Sequence, residues 1–350
     1  MRHWYQLTAI TILAVCGCSG KNLPSYYRDY LKETAALIRD VQKNEADGFY
    51  FWTDAHYPDN AGNAVNIFRF LQKHSSPRVI FFGGDASENS AELDESLSDF
   101  LQDIHRIKEF SDIILLRGNH DFVNYTGDFK TEWGKKKALP QEEVASIIRS
   151  ASKGSVVRDS CDRHSCYGYF DRNGIRYILI DTSDHVADST VVYGMSDNQI
   201  DWILSEAVLK APQGSGIVLL SHIPLAGQLF QDFVPSHVEM RRCLLGAVRA
   251  EAVEFAGKNY DFAGRKDLHF LMVLSGHRHR DSGDNSDGIL QILTGNDSLT
   301  PNPRIESPAV GERGTVLEHC IDYVSVSEDF STVSIIRIGR GQNRIFDVKK

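Results

Sequence analysis

The chain has 350 residues, of which 42% are apolar and 24% are charged, and its formal net charge at pH 7 is -9. This composition excludes a disordered, collagenous or coiled-coil protein and is typical of one large globular domain or two small ones. Because 47 acidic residues outnumber 38 basic ones, the charge balance argues against capture of DNA through counterion release, and we expect no stable nucleic-acid complex.

The N-terminal segment has the layout of an export signal. Arg2 lies before an apolar stretch over 4–15, which ends in the small residues of 16–20. The stretch is too short to span a bilayer, which needs about 20 apolar residues. Its end resembles a bacterial lipobox, so residues 1–18 are predicted to be a lipoprotein-type signal peptide. We expect a lipid anchor at Cys18 and a location in the cell envelope, facing the periplasm or the exterior. A plain secretory signal or an uncleaved anchor is the alternative.

Residues 19–45 are predicted to be a polar tether that leads into a helix over 25–42. From residue 46 to residue 350, short continuous apolar runs alternate with segments of helical period, which predicts an α/β domain with strands covered on both faces. The predicted strands are 49–52, 79–82, 113–116, 177–180, 217–220, 270–274, 320–326 and 333–338. The predicted helices are 64–73, 93–109, 142–148, 197–209 and 237–253.

Other features of this domain are a hairpin, two insertions and a pair of cysteines. Asn173-Gly174 between two apolar stretches predicts a tight β-hairpin, and long insertions are expected at 124–165 and 227–267. Cys161 and Cys166 could close a small disulfide in an oxidising compartment. A redox role for this pair is the alternative, although Cys-x4-Cys is not a redox motif.

Polar side chains that bind metals follow five of the predicted strands. In an open α/β sheet the carboxyl ends of the strands form the edge where sites develop, so we expect these side chains to lie together. One Gly-Asp or one histidine after a strand is a weak signal, but five such blocks in a row are a strong one. The blocks are Asp54-Ala55-His56, Gly84-Asp85, Gly118-Asn119-His120-Asp121, Ser221-His222 and Gly276-His277-Arg278-His279.

The donor types in these blocks indicate a metal centre. Carboxylate, imidazole and amide oxygen donors suit Mn, Fe or Zn, and the lack of a thiolate among them argues against a structural zinc site. The donors outnumber those that one catalytic ion takes from a protein, so two divalent ions that share a bridging carboxylate are expected.

With these five blocks the sequence resembles the calcineurin-like metallophosphoesterase family, whose pattern is Asp-x-His, Gly-Asp, Gly-Asn-His-Asp/Glu, a lone His and Gly-His-x-His. The resemblance implies a four-layer αββα sandwich of two mixed β-sheets flanked by helices. It also implies a phosphoesterase that hydrolyses phosphate ester bonds with a hydroxide activated by two metal ions. The expected substrate is a phosphate-ester small molecule, a nucleotide or a lipid head group.

The resemblance also implies a role for each matching residue. One ion would be held by Asp54, His56 and His279, the other by Asn119, His222 and His277, and Asp85 would bridge both.

Three residues of the third block are expected at the reaction itself. The resemblance implies that His120 faces the substrate, where it stabilises the transferring group or protonates the leaving oxygen, and that Asp121 orients it. Arg117 is a candidate phosphate clamp because a guanidinium matches phosphate with two hydrogen bonds, and a surface or structural arginine is the alternative.

A second function of a different class stays open at this point. The chain could be a metal-containing envelope binding protein that keeps this fold without turnover. The full set of donors, together with His120 and Asp121, argues against it, since a binding module has no chemical need for all of them.

Overall fold

A computed structural model describes residues 23–57, 62–87, 93–122, 141–184, 194–227, 234–299 and 311–348. The predicted signal peptide 1–18, its Cys18, the start of the first insertion over 124–140 and residues 228–233 of the second lie outside these ranges. Within the described ranges, no helix combines the length and the apolar character that a membrane crossing requires.

The helices agree with most of the predicted segments. Six are named in chain order: α1 Ser25–Val41, α2 Ala64–His74, α3 Leu93–Lys108, α4 Gln141–Ala151, α5 Asp197–Trp202 and α6 Pro235–Val248. Helix α5 begins at an N-cap, where the hydroxyl of Ser196 accepts a hydrogen bond from the backbone N–H of Gln199. It continues as a π-helical turn over Ile203–Val208, in which the N–H of Leu209 bonds to the carbonyl of Leu204.

The strands form two six-stranded sheets. The strands of the first sheet are β1 Glu45–Trp52, β2 Ile80–Phe82, β3 Ile113–Leu115, β12 Cys320–Ser327, β13 Thr332–Gly339 and β14 Arg344–Asp347. The others are β4 Gly168–Arg172, β5 Ile175–Ile180, β6 Gly216–Ser221, β7 Ala252–Phe255, β8 Lys258–Asp261, β9 His269–Ser275, β10 Ser282–Asp284 and β11 Gln291–Leu293. The first sheet has the order β14-β13-β12-β1-β2-β3 and the second has the order β10-β11-β9-β6-β5-β4, while β7 and β8 form a separate hairpin.

Each sheet contains parallel strands whose carboxyl ends share one edge. Strands β1, β2 and β3 run parallel, and so do β5, β6, β9 and β11. Strands β12, β13 and β14 add an antiparallel half to the first sheet. Both sheets are therefore mixed, as predicted, and the five metal-binding blocks follow parallel strands.

The core lies in three apolar layers, which establishes the four-layer αββα sandwich. Between the sheets, the ring of Phe49 packs edge-on against Phe81 at 5.2 Å and Tyr177 at 5.5 Å between ring centres. Outside the first sheet, α1 to α4 bury a second apolar layer, and α5 and α6 bury the third outside the second sheet. Burial on both faces explains why the strands read as continuous apolar runs.

Helix α1 is part of this sandwich. Its side chains Tyr27, Leu31 and Ile38 are fully buried in the layer outside the first sheet. The folded unit therefore begins before residue 46, and the part of the 19–45 segment from Ser25 onward packs as a helix against the domain.

One local prediction, a hairpin, is confirmed, and another, a helix, is wrong at its C-terminal end. The Asn173-Gly174 hairpin between β4 and β5 is confirmed, with φ of 50° and 76° as a type I′ turn requires. The helix predicted over 237–253 is wrong at its end. It stops at Val248, Ala250 takes a φ of 53°, and residues 252–255 form β7. Val253 and Phe255 are buried at every second position, which is the period of a strand and not of a helix.

Cys161 and Cys166 do not form the small disulfide that the sequence left open. Cys161 is exposed, Cys166 is buried, and both are free thiols. Burial raises the pKa of the Cys166 thiol to about 12. Such a thiol stays protonated at neutral pH, which argues against the redox alternative because the thiolate is the reactive form.

Candidate metal centre

Donor atoms from both sheets converge at their shared edge. One set of ligand atoms within 4.8 Å of one another belongs to Asp54, His56, Asp85 and His279, which we call the first donor group. Asp85, His222 and His277 form another such set, and with Asn119 we call it the second donor group. Asp85 belongs to both groups, which is the position that the sequence predicts for a bridging carboxylate.

The first donor group comes from the ends of β1, β2 and β9. The Nε2 atom of His279 lies 3.1 Å from Oδ1 of Asp54 and 3.2 Å from Nε2 of His56. The same His56 nitrogen lies 4.0 Å from Oδ2 of Asp85. Except for His279, whose side chain is 17% exposed, these groups are almost completely buried.

The second donor group comes from the ends of β2, β3, β6 and β9. The Nε2 atom of His222 lies 3.0 Å from Oδ2 of Asp85 and 3.0 Å from Oδ1 of Asn119. The same amide oxygen lies 2.9 Å from Nδ1 of His277. The asparagine therefore takes part through its oxygen, as a metal ligand would.

These residues fit two divalent cations. Atoms bound about 2.0–2.2 Å from one ion lie about 2.8–3.6 Å apart in octahedral or tetrahedral geometry. The distances of 2.9–3.2 Å found within the two groups are of this size. Nitrogen donors with two carboxylates and one amide oxygen also match the chemistry of Mn, Fe or Zn.

Backbone strain is concentrated at the donors. Asp54, His56, Asp85, His277 and His279 all have φ between 45° and 65°, and they are five of nine such non-glycine residues in the described ranges. His277 sits at the centre of a γ-turn, since the N–H of Arg278 bonds to the carbonyl of Gly276 at 2.7 Å. Such conformations cost about 1–3 kcal/mol each and persist only where the surroundings enforce them, typically at functional sites.

Hydrogen bonds orient the donors from outside. The Nδ1 atom of His222 donates to the carbonyl of Gly83 at 2.9 Å, which leaves Nε2 facing Asp85 and Asn119. The carboxylate of Asp54 accepts from the N–H of His277 at 3.1 Å and from the hydroxyl of Thr53 at 2.7 Å.

Two motif glycines are required by close approach. A Cβ on Gly118 would overlap Oδ1 of Asp85, and a Cβ on Gly276 would overlap Oδ2 of Asp54. The glycines of Gly-Asn-His and Gly-His-x-His thus let the backbone pass directly beside the two carboxylates.

The electrostatics of the site favour charged carboxylates. Burial alone would raise the pKa of Asp54, but His279 beside it lowers the pKa to about 2. Burial also opposes ionisation of Asp85, yet His222 and His120 hold its pKa well below the usual range. Burial disfavours a charged His222, but Asp85 outweighs this and raises the histidine's pKa to about 9. Burial and the nearby His222 lower the pKa of His277 to about 3.

His120 lies beside both groups and reaches solvent. Its ring packs edge-on against His56 at 4.9 Å, and its Nε2 lies 3.9 Å from Oδ2 of Asp85. With 21% of its side chain exposed, His120 is accessible where Asp85 is buried. This position matches the substrate-facing role expected from the sequence.

Asp121 does not orient His120, contrary to expectation. Its carboxylate accepts hydrogen bonds from the backbone N–H groups of Asp85, Ala86 and Gly118 at 3.2, 2.7 and 2.7 Å. Asp121 therefore ties the loop after β2 to the loop after β3 and acts on the backbone. Its adjacency to His120 in sequence does not place the two side chains together.

The expectation that Arg117 clamps phosphate is also wrong. Its guanidinium is completely buried and pairs with Asp181 at 2.6 Å. It also donates to the backbone carbonyls of His164 at 2.9 Å and Ser183 at 3.1 Å. A guanidinium engaged in this way links the end of β3 to the end of β5 and has no free edge for a substrate, so the structural alternative holds.

The five sequence blocks do not include Asp297, which lies beside the first donor group. It follows β11, whose carboxyl end shares the edge of the second sheet with β6 and β9. Its backbone N–H donates to the carbonyls of Thr53 and Asp54 at 3.1 Å. The signal was available, because Gly295-Asn296-Asp297 follows the apolar Ile292-Leu293 in the same way as the five blocks follow their strands.

The sequence of this chain matches a known protein family. Residues 49–281 match the profile of the calcineurin-like phosphoesterases, about two thirds of the chain. The chain belongs to this family. As a calcineurin-like phosphoesterase it is a metal-dependent hydrolase that acts on phosphate esters, and the two donor groups lie within the matched residues.

Several solved structures are similar to this chain, and the first of them shares its fold. The phosphoesterase is similar to a dimetal phosphatase from Danio rerio, at 14% identity and a TM-score of 0.56 over 87% of this chain and 100% of that one. A putative 5'-nucleotidase from Staphylococcus aureus matches at 14% identity and a TM-score of 0.44, over 87% of this chain and 54% of that one. The NAD nucleotidase of Haemophilus influenzae matches at 14% identity and 0.39, over 86% and 50%. The chain thus spans about half the length of the two nucleotidases. No curated protein matches it.

Proposed function

We propose that this phosphoesterase hydrolyses a small phosphate ester, a nucleotide or a lipid head group at a centre of two divalent ions. The first donor group would hold one ion and the second donor group the other. The observation that carries the proposal is that the Asp85 carboxylate belongs to both groups. When bound, the ions would activate water as Lewis acids and neutralise the charge of the phosphate oxygens.

The chain's own groups would then position the ester and handle the proton. His120 lies beside the centre with its side chain partly exposed, so its Nε2 atom can donate a proton to the leaving oxygen or a hydrogen bond to the transferring group. Asp121 and Gly118 hold the loops after β2 and β3 in contact, which keeps His120 beside Asp85. Mn, Fe and Zn all suit the donor set.

Turnover of two model substrates tests the proposal. The protein is reconstituted with Mn²⁺ and supplied with p-nitrophenyl phosphate and bis(p-nitrophenyl) phosphate. We expect chelator-sensitive hydrolysis of at least one, and the preferred substrate separates a monoesterase from a diesterase. His120→Asn should lower kcat while both ions stay bound. A protein that binds two ions but hydrolyses neither these compounds nor a panel of nucleotides and phospholipid head groups would instead be the non-catalytic binding protein.

We further propose that the enzyme works in the cell envelope, held by a lipid on Cys18 after removal of the segment before it. The support is the order of a basic residue, an apolar stretch and the Gly17-Cys18 pair. Metabolic labelling with palmitate should mark the wild type and Cys16→Ala but not Cys18→Ala. Equal labelling of all three proteins would contradict the anchor.

A further inference from the structure

The backbone of Asp54 is clamped from both sides. Its N–H donates to the carbonyl of Gly84 at 2.9 Å. Its carbonyl accepts from the N–H groups of Asp297 and Ser298, both at 3.1 Å. Asp54 has a φ of 53°, a conformation that a residue with a Cβ keeps only when its neighbours enforce it. Part of that enforcement therefore comes from the segment after β11, which supplies no donor to either metal group.

The side chain of Asp297 fixes this segment from beneath the site. Its carboxylate accepts from the indole N–H of Trp52 at 2.7 Å and from the backbone N–H of Cys320 at 2.7 Å. The Nδ1 atom of His319 lies 3.0 Å from both carboxylate oxygens, where it is placed to donate to them. Asp297, Trp52 and His319 are at most 1% exposed.

We propose that Asp297 is a positioning residue that sets the affinity of the first donor group for its metal ion. Its carboxylate accepts hydrogen bonds from Trp52 at the end of β1 and from Cys320 at the start of β12. Its backbone N–H donates to the Asp54 carbonyl and so helps to hold Asp54 in the left-handed conformation. That conformation directs the Asp54 carboxylate toward His279. The inference rests on the proposed metal centre and adds to it a residue that touches neither ion nor substrate.

The effect is expected at one ion only. Asp297 contacts the backbone of Asp54 and Thr53, while His222 is oriented through Gly83 and Asn119 lies on the loop held by Asp121. The second donor group therefore has supports of its own. Loss of the Asp297 carboxylate should weaken the first ion and spare the second.

Asp297→Asn is the decisive substitution. It keeps the shape of the side chain but replaces one acceptor oxygen by an NH₂ group, which cannot accept from any of the three N–H donors around it. The full-length protein is titrated with Mn²⁺ alone, and the spin-coupled signal of an ion pair is followed by electron paramagnetic resonance. We expect the dissociation constant of the ion in the first donor group to rise about 10- to 100-fold, the usual effect of losing a group that orients a ligand. Excess Mn²⁺ should restore the coupled signal.

Reference variants identify the ion that is lost. His56→Ala removes a donor of the first group only, and His222→Ala one of the second group only. Asp297→Asn should resemble His56→Ala at limiting Mn²⁺. Asp47→Asn is the matched control, because Asp47 is a buried carboxylate that accepts from Tyr177 at 2.7 Å and Asn173 at 3.1 Å and contacts neither donor group. It should lose stability and keep both affinities.

Each outcome either supports or overturns the positioning role of Asp297. Unchanged affinities in Asp297→Asn, or an equal fall for both ions, would overturn the positioning role. If Asp297→Asn does not fold, Trp52→Phe removes the indole donor together with part of a buried ring. It should show a smaller loss at the same ion, and an unchanged affinity there would overturn the role. A wild-type protein that binds no Mn²⁺ would defeat the proposed function itself, which is a different result from a variant that behaves as wild type.

Discussion

The N–H of His120 donates a hydrogen bond to Oδ1 of Asp85 at 2.8 Å. The other oxygen of the same carboxylate, Oδ2, lies 3.0 Å from His222 and 3.9 Å from the ring of His120. One carboxylate therefore joins the loop that carries His120 to both donor groups. Because Asp121 also bonds to the N–H of Asp85, the loops after β2 and β3 form a single unit around it.

Asp85→Asn should abolish the two-ion centre. The amide keeps an oxygen for the His120 N–H but lacks the charge that a bridging ligand supplies. If the missing ion accounts for about 4 kcal/mol of transition-state stabilisation, turnover falls about 1,000-fold. Metal analysis after dialysis should find at most one ion per chain, while circular dichroism should match the wild type. Two retained ions would contradict the shared role of this carboxylate.

Gly118→Ala tests the close approach of backbone to carboxylate. The added methyl group would overlap Oδ1 of Asp85, so the Asp85 carboxylate or the loop after β3 has to move. We expect kcat to fall at least about tenfold, which corresponds to about 1.4 kcal/mol. Gly264→Ala is the control, because a Cβ at Gly264 meets nothing within 4 Å. Steady-state kinetics of both variants should separate the two positions, and equal rates would contradict the steric argument.

Sequence reasoning located the donors because their positions follow from a general property of sheets. Parallel strands of one sheet end at one edge, so Asp54 and Asp85 had to meet in the first sheet, and His222 and His277 in the second, once their strands were recognised. Side-chain direction is a different matter. Arg117 and Asp121 flank the Gly-Asn-His block, yet the guanidinium pairs with Asp181, which lies 64 residues away, and the carboxylate accepts from backbone. Such partners depend on how the two sheets pack, which no local pattern contains.

The same limit explains the incorrect helix end. Apolar residues continue past Val248 and suggest more helix, but Ala250 at a φ of 53° ends it. The positive φ of Ala256 and Gly257 then makes the turn of a hairpin that packs beside α6. A two-residue turn of alanine and glycine carries a weaker signal than the Asn173-Gly174 turn, which the sequence predicts correctly.

Arg117→Lys distinguishes a structural arginine from a phosphate clamp. Lysine keeps the charge but cannot reproduce the planar fork that serves Asp181 and two carbonyls. We expect the free energy of unfolding to fall by about 2–4 kcal/mol, with KM for the ester unchanged in the folded protein. Arg242→Lys, at an exposed pair with Glu239, should change stability by less than about 0.5 kcal/mol. A raised KM for the ester with an unchanged free energy of unfolding would instead support a phosphate-clamp role for Arg117.

His237 should make the protein sensitive to acid. This histidine of α6 is completely buried, its Nδ1 lies 3.2 Å from the Pro224 carbonyl, and burial lowers its pKa to about 4. In the unfolded chain the pKa of His237 is about 6.5. Below that pH the unfolded state therefore binds a proton that the folded state does not bind until the pH falls to about 4. The stability that neutral His237 contributes is complete above about pH 6.5 and is lost progressively as the pH falls to about 4. His237→Asn keeps a side-chain N–H and does not titrate. Urea unfolding at several pH values should therefore show the wild type losing up to about 3 kcal/mol more than the variant across this window, and parallel curves would contradict it.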